Sequence, residues 1–107
     1  LAEAAIERGA KVVLVSGPVA LDPPADAALV PVRTANEMHD AVAQAFDAAD
    51  IAIFSAAVAD FRPAQPVGRK LKKGTDGEML SCIELVENPD ILACAGRIKT
   101  HQIVVGY

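Results

Sequence analysis

Three short, unbroken apolar runs, Val12-Val13-Leu14-Val15, Ile51-Ala52-Ile53-Phe54 and Ile103-Val104-Val105, alternate with stretches of helical spacing. No other feature of the chain constrains its fold as strongly. Continuous apolar runs of this length read as strands buried on both faces, and their alternation with helices builds a mostly parallel sheet. The expected fold is therefore α/β, a doubly wound sheet with helices on both faces. The chain has 107 residues, 52% of them hydrophobic but only 4% aromatic and none Trp, so Ala, Val, Ile and Leu must build the core. A single domain of this size buries roughly two-thirds of the surface its unfolded chain exposes.

The order of elements follows from local signals. A first helix is expected to end at Gly9, the residue type favoured at a left-handed helix stop. The Val12 strand breaks at Ser16-Gly17-Pro18, and Pro23-Pro24 keeps the next segment in a loop. Ala28 to Val32 reads as a weak strand at the sheet edge, because Pro31 has no amide hydrogen to donate. Thr34-Ala35-Asn36-Glu37 spells a capping box, and Met38, Val42, Ala45, Phe46 and Ala49 recur on one helical face behind it. Arg62 to Gly77 holds two prolines and three glycines and is expected to be a mobile excursion between strands, a basic flap over about 62–78. Met79 to Val86 alternates as the returning strand. Asn88-Pro89-Asp90 then opens a helix over Ile91 to Arg97, with Asn88 as the cap, Pro89 at the first helical position and Asp90 favouring the dipole.

Composition excludes several function classes. A net charge of -4 and a pI near 5.0 argue against nucleic acid as a partner. No apolar stretch approaches the roughly 20 residues of a membrane helix, and no charged head followed by an apolar signal segment opens the chain, so a cytoplasmic protein without a membrane partner is the expectation. Cys82 and Cys94 lack metal-binding spacing and read as reduced core thiols. His39 and His101 have no Ser or Cys and Asp arrangement around them that would make a triad.

In doubly wound sheets, ligands bind beyond the carboxyl ends of the strands. Ser16-Gly17-Pro18, Ser55-Ala56-Ala57 and Gly106-Tyr107 are expected at that rim, with the start of the Asn88-Pro89-Asp90 helix facing it. Ala56 and Ala57 project nothing bulky, so a flat ligand can approach the backbone. Asp60 is either a turn residue capping its own backbone or a carboxylate that accepts from a nucleotide or acts through magnesium. Arg62 reads first as its salt-bridge partner. The run Arg69-Lys70-Leu71-Lys72-Lys73, between Gly68 and Gly74, concentrates four of the ten Lys and Arg residues on one segment of an otherwise acidic chain. Such a run is either a solvated loop or a positive field suited to a triphosphate. Neither G-x-G-x-x-G nor G-x-x-x-x-G-K-[ST] occurs.

Taken in order, G-A-K-V-V-L-V-S-G-P, S-A-A-V-A-D-F-R-P, R-K-L-K-K, V-E-N-P-D-I-L and I-V-V-G-Y span nearly the whole chain. Together they resemble the phosphopantothenate–cysteine ligase domain of the bifunctional bacterial flavoprotein of coenzyme A biosynthesis. The resemblance implies a ligase that joins 4'-phosphopantothenate to cysteine with CTP through an acyl-cytidylate, helped by Mg2+. It implies that Lys70 and Asp60 are catalytic. Ala56, Ala57, Asp60, Lys70, Asn88, Pro89, Asp90, Ile91 and Tyr107 would bind the nucleotide, with Arg69, Lys72 and Lys73 completing the flap. Tyr107 stands where the family usually has Phe. A homodimer, fused to or associated with a flavin-dependent decarboxylase domain, is implied as well. Because Leu1 already lies in a helical pattern and Tyr107 closes a strand, residues 1–107 are expected to be the central part of one ligase domain, truncated at both ends. The alternative is a nucleotide- or dinucleotide-binding Rossmann-like module without ligase activity.

Overall fold

The computed structural model describes residues 1–107 and divides into two compact units, Leu1–Ala57 with Pro89–Tyr107, and Val58–Asn88. In chain order the elements are α1 (Ala2–Ile6), β1 (Val12–Ser16), β2 (Ala27–Pro31), α2 (Ala35–Phe46), β3 (Ile51–Phe54), β4 (Phe61–Pro63), α3 (Gly77–Ser81), β5 (Leu85–Glu87), α4 (Ile91–Ile98) and β6 (Ile103–Gly106). The protein is α/β, with two parallel strand pairs and one antiparallel pair. No helix is long and apolar enough to cross a membrane.

The first unit is built from parallel pairs and helices. α1 is regular only to Ile6, and a turn carries the chain on to Gly9, whose φ of +84° is the left-handed geometry expected there. Gly9 N–H donates to Ile6 O (2.8 Å) and Ala10 N–H to Ala5 O (3.1 Å), which satisfies carbonyls the helix end would leave bare. β1 pairs with β2 in parallel, Ser16 opposite Pro31. Since Pro31 has no donor, Val32 N–H makes the next bond, to Ser16 O at 2.9 Å.

The Thr34 capping box forms as expected. Glu37 N–H donates to Thr34 Oγ1 and Thr34 N–H to Glu37 Oε2, both at 3.1 Å. Arg33 N–H reaches the same Glu37 oxygen at 2.6 Å. The face of α2 turned inward carries Met38, Val42, Ala45 and Phe46, of which Phe46 is almost wholly buried, at 2% exposure, and half-buried Ala49 follows just past the helix end. It packs beside Ile91 and Ala95 of α4, and these, with Val32, form the core of this unit. Buried Gln102 ties the far end of α2 to the approach of β6: its Nε2 donates to Phe46 O (3.3 Å) and its Oε1 accepts from Thr100 N–H (2.8 Å). Bonds at both ends of this amide offset the cost of taking it out of water.

β3 and β6 run parallel with Ile51 opposite Ile103, Ala52 opposite Val104, Ile53 opposite Val105 and Phe54 opposite Gly106. Partners in a parallel register share a face. Ala52 and Val104 are half-buried, whereas Ile51, Ile53, Ile103 and Val105 form an exposed apolar face. α4 begins at Ile91 as expected, but its cap lies two residues later than the sequence suggests. Asp90, not Asn88, is the cap, and its Oδ1 accepts from Ala93 N–H at 2.8 Å. Pro89 consequently precedes the cap instead of holding the first helical position. The reason is that the Asn88 amide is committed elsewhere: its Nδ2 donates to Ala59 O (2.8 Å) and its Oδ1 accepts from Arg62 Nη1 (3.1 Å).

The second unit, Val58–Asn88, is a two-stranded ribbon with a looped tip. β4 and β5 pair antiparallel, Phe61 opposite Glu87 and Pro63 opposite Leu85. The ladder is extended by Asn88 N–H to Asp60 O (2.7 Å) and Ala64 N–H to Glu84 O (2.9 Å). The strand expected over Met79 to Val86 is only Leu85–Glu87, and Met79–Ser81 is helical instead. Period-two alternation makes a strand only where a partner can pair with it, and Pro63 and Pro66 deprive the opposite segment of donors. The chain before Leu85 takes up a helical turn, with Leu80 N–H on Asp76 O at 3.0 Å and Ser81 Oγ on Glu78 O at 2.7 Å.

Candidate functional site

In the first unit, the carboxyl ends of β3 and β6 lie together. Tyr107 N–H donates to Phe54 O at 3.0 Å, so Tyr107 leaves the pair beside Ser55-Ala56-Ala57. Ala56, Ala57 and Tyr107 are all exposed, the last at 86%, which gives an aromatic ring and a bare backbone shelf at one edge. The first turn of α4 belongs to the same edge, because Leu92 packs on Gly106 closely enough that a Cβ there would strike its Cδ2. Glycine thus lets the helix start sit low over the strand end. Asp90 spends one carboxylate oxygen on its capping bond, and the Ile91 side chain is buried in the core, so what Ile91 offers a ligand is its backbone.

In the second unit, Asp60 engages the ribbon only through its main chain, as acceptor of the Asn88 amide, and its carboxylate is exposed. Arg62 does not form the expected salt bridge with it. Instead Arg62 Nη1 donates to Glu87 O (2.5 Å) and to Asn88 Oδ1, locking the end of the ribbon. A guanidinium satisfies two oxygens that the ribbon's own ladder leaves open, which a contact with one exposed carboxylate would not match. Asn88 therefore stands here with both side-chain atoms engaged.

The basic run divides in two. Arg69 makes a bidentate pair with Asp76, Nη1 to Oδ2 at 2.8 Å and Nη2 to Oδ1 at 2.6 Å, and Lys72 N–H donates to Oδ2 at 2.9 Å. The Arg69 guanidinium, helped by the Lys72 amide, holds the Asp76 carboxyl below the usual carboxylate range, while Asp76 raises Arg69 in turn. Lys70, Lys72 and Lys73 are exposed and none forms a salt bridge. Of the four cations in the run, three remain available to a polyanion. Sequence reasoning missed Asp76, although it is the only carboxylate between Arg62 and Gly77. Leu71 turns inward instead, toward an open hollow of about 350 Å³ shared with Val67, Met79 and Ile83.

The histidines make only local contacts. His39 Nδ1 sits 3.1 Å from Asp40 Oδ1, and His101 Nδ1 is 3.1 Å from Thr100 Oγ1, contacts between chain neighbours that build no triad. Both cysteines are free, but Cys82 is exposed, a correction to its reading as a core thiol that follows from the shortened β5. No three His, Cys, Asp or Glu side chains converge as a metal cage would require.

The chain is 52% identical over 109 residues to the coenzyme A biosynthesis bifunctional protein CoaBC of Vibrio vulnificus (strain YJ016), covering 100% of this chain and 27% of that protein. It is 48% identical over 108 residues to the protein of the same name from Bacillus subtilis (strain 168), covering 100% of this chain and 26% of the relative. The chain thus spans about a quarter of the length of these curated relatives. A crystal structure of the C-terminal domain of CoaBC superposes with a TM-score of 0.79 at 39% identity, over 96% of this chain and 45% of that one. With all of residues 1–107 matching the family described as DNA/pantothenate metabolism flavoprotein C-terminal domain, the chain belongs to that family.

Proposed function

We propose that the protein carrying this chain acts in coenzyme A biosynthesis as a ligase that joins 4'-phosphopantothenate to cysteine at the expense of CTP. The observation that carries this reading is the exposed lysine set, Lys70, Lys72 and Lys73, in a chain whose every residue falls within the family match. The choice of CTP rests on the family resemblance alone.

The chemistry needs no protein nucleophile. A carboxylate oxygen of phosphopantothenate attacks the α-phosphorus of CTP, the bond from that phosphorus to the bridging oxygen breaks, and pyrophosphate leaves with the electron pair. The cysteine amine then attacks the acyl carbon, CMP departs with the former carboxylate oxygen, and the amine loses a proton. Charge builds on the phosphoryl oxygens in the first step, and fixed cations are what stabilise it. Lys70 is assigned to that charge, with Lys72 and Lys73 holding the departing pyrophosphate as point charges. Asp60, free of Arg62, is assigned to the nucleotide as an acceptor. The Ala56-Ala57 shelf, Tyr107 and the backbone at Asp90 and Ile91 receive its flat and polar parts.

Magnesium is expected to accompany the triphosphate, but the residues present form no protein cage for it. It would be held mainly by phosphate oxygens and water, and would supply further neutralisation of phosphate charge. A homodimer and an associated flavin-dependent decarboxylase domain belong to the same proposal. The experiment supplies phosphopantothenate, cysteine and each nucleoside triphosphate in turn to the full-length protein and follows pyrophosphate. Release that depends on all three substrates, and is fastest with CTP, supports the reading. Stabilisation by NADPH with no pyrophosphate from any nucleotide would favour a dinucleotide-binding module.

A further inference from the structure

We infer that Asp76 is the positioning residue of the lysine loop: it ties down Arg69 and the Lys72 amide so that Lys70, Lys72 and Lys73 are held ready for a polyphosphate. This rests on the reading of the loop as a polyphosphate site, and it assigns Arg69 a structural duty in place of direct phosphate contact.

The geometry is specific. Asp76 is only 7% exposed, although it lies on a loop, because Arg69 and the Lys72 backbone fold over it. Both its oxygens are used, and its own N–H returns a bond to Lys72 O at 3.1 Å, so residues 72 and 76 are joined twice. Gly74, at φ +86°, makes the reversal that this double link requires. The ring from Arg69 to Asp76 turns Leu71 inward and leaves the three lysines outward. A bidentate guanidinium–carboxylate pair fixes direction as well as distance, which a single ammonium contact does not. Lysines so arranged lose less freedom when the anion arrives, and that difference appears in affinity.

The test uses the full-length protein, with trypsin as a probe of the loop and inorganic tripolyphosphate as the ligand. Cleavage after Lys70, Lys72 and Lys73 is followed by mass spectrometry, and the melting temperature reports on folding. Asp76→Ala should speed cleavage and raise the tripolyphosphate concentration needed for protection, each about tenfold, which corresponds to about 1.4 kcal/mol. Asp76→Asn, which keeps an acceptor for the Lys72 amide, should fall between. Arg69→Ala should loosen the loop as Asp76→Ala does, and the double variant should be no worse than either. In the ligase assay, kcat/KM for CTP should fall about tenfold or more, because the lysines that bind the triphosphate and meet its developing charge are no longer held in place. Unchanged cleavage and protection in Asp76→Ala, additive effects of the two single variants, or no protection of the wild-type loop by tripolyphosphate would each overturn the inference. If CTP yields no pyrophosphate but tripolyphosphate still protects the loop in an Asp76-dependent way, the ligase reading fails and this one stands.

Discussion

Arg62 reaches across the ribbon to Asn88, its Nη1 lying 3.1 Å from the amide oxygen while also donating to Glu87 O. The contact joins residues 26 apart in sequence and fixes the end of the β4–β5 pair. Replacing Arg62 with Ala leaves both acceptors without this donor, and a hydrogen bond to a charged group contributes about 1.5–3 kcal/mol. Amide exchange of Asn88, whose N–H is bound to Asp60 O, is expected to accelerate in Arg62→Ala while Phe46 and its neighbours stay protected.

Because Asp60 serves the ribbon through its carbonyl and not its carboxylate, Asp60→Asn is expected to leave the fold unchanged. Nucleotide binding should nevertheless weaken. Loss of a charged hydrogen bond at the scale just given corresponds to roughly ten- to a hundredfold in Kd for CTP. Titration calorimetry on the full-length protein checks this, and an unaltered Kd would make Asp60 a turn residue only.

Lys70 is exposed and has no carboxylate partner, so its removal costs the fold little. Lys70→Ala should lower kcat for pyrophosphate release by about a hundredfold or more, the scale measured when one stabilising donor is lost from a charged transition state. An unchanged melting temperature beside that loss assigns the defect to chemistry.

Phe46→Ala removes the most buried large side chain, between α2 and α4. The expected loss is about 3–5 kcal/mol, and denaturant titration of the full-length protein is the check. Phe46→Leu should lose less, because it leaves a smaller void. The carbonyl of Phe46 also receives Gln102, so the damage should spread to the approach of β6.

Asp76 has a folded-state pKa depressed chiefly by Arg69. Its contribution to loop order is present in full above the ordinary carboxylate range and is lost as pH falls through the lowered value. Hydrogen exchange of the Lys72 amide should thus keep its protection down through ordinary carboxylate titration and lose it only in stronger acid. Asp76→Asn should abolish that dependence.

Where a local signal needed no distant partner, it could be read from the residues: Gly9 stops α1, Thr34 and Glu37 cap α2, and the inward face of α2 follows its 3.6-residue period. The parallel pairs were legible too, from their unbroken apolar runs. Misreadings arose where two segments compete. Asn88 and Asp90 are both good caps, and only the ribbon, by taking the Asn88 amide, decides between them. Met79–Ser81 alternates like a strand, but Pro63 and Pro66 leave it no ladder to join. Arg62 and Asp60 are two apart and opposite in charge, yet the better acceptors for Arg62 lie at Glu87 and Asn88. Asp76 went unnoticed because its meaning depends on a loop closing back on Arg69, which spacing alone does not reveal.

Transfer of oxygen from substrate to nucleotide tests the central proposal most directly. Phosphopantothenate labelled with heavy oxygen in its carboxylate is turned over by the full-length protein with cysteine and CTP, and the CMP formed is weighed by mass spectrometry. Attack of the carboxylate on the α-phosphorus predicts one labelled oxygen in each CMP and none in pyrophosphate. CMP that carries no label, or amide formed without cleavage of the nucleotide, would contradict the account.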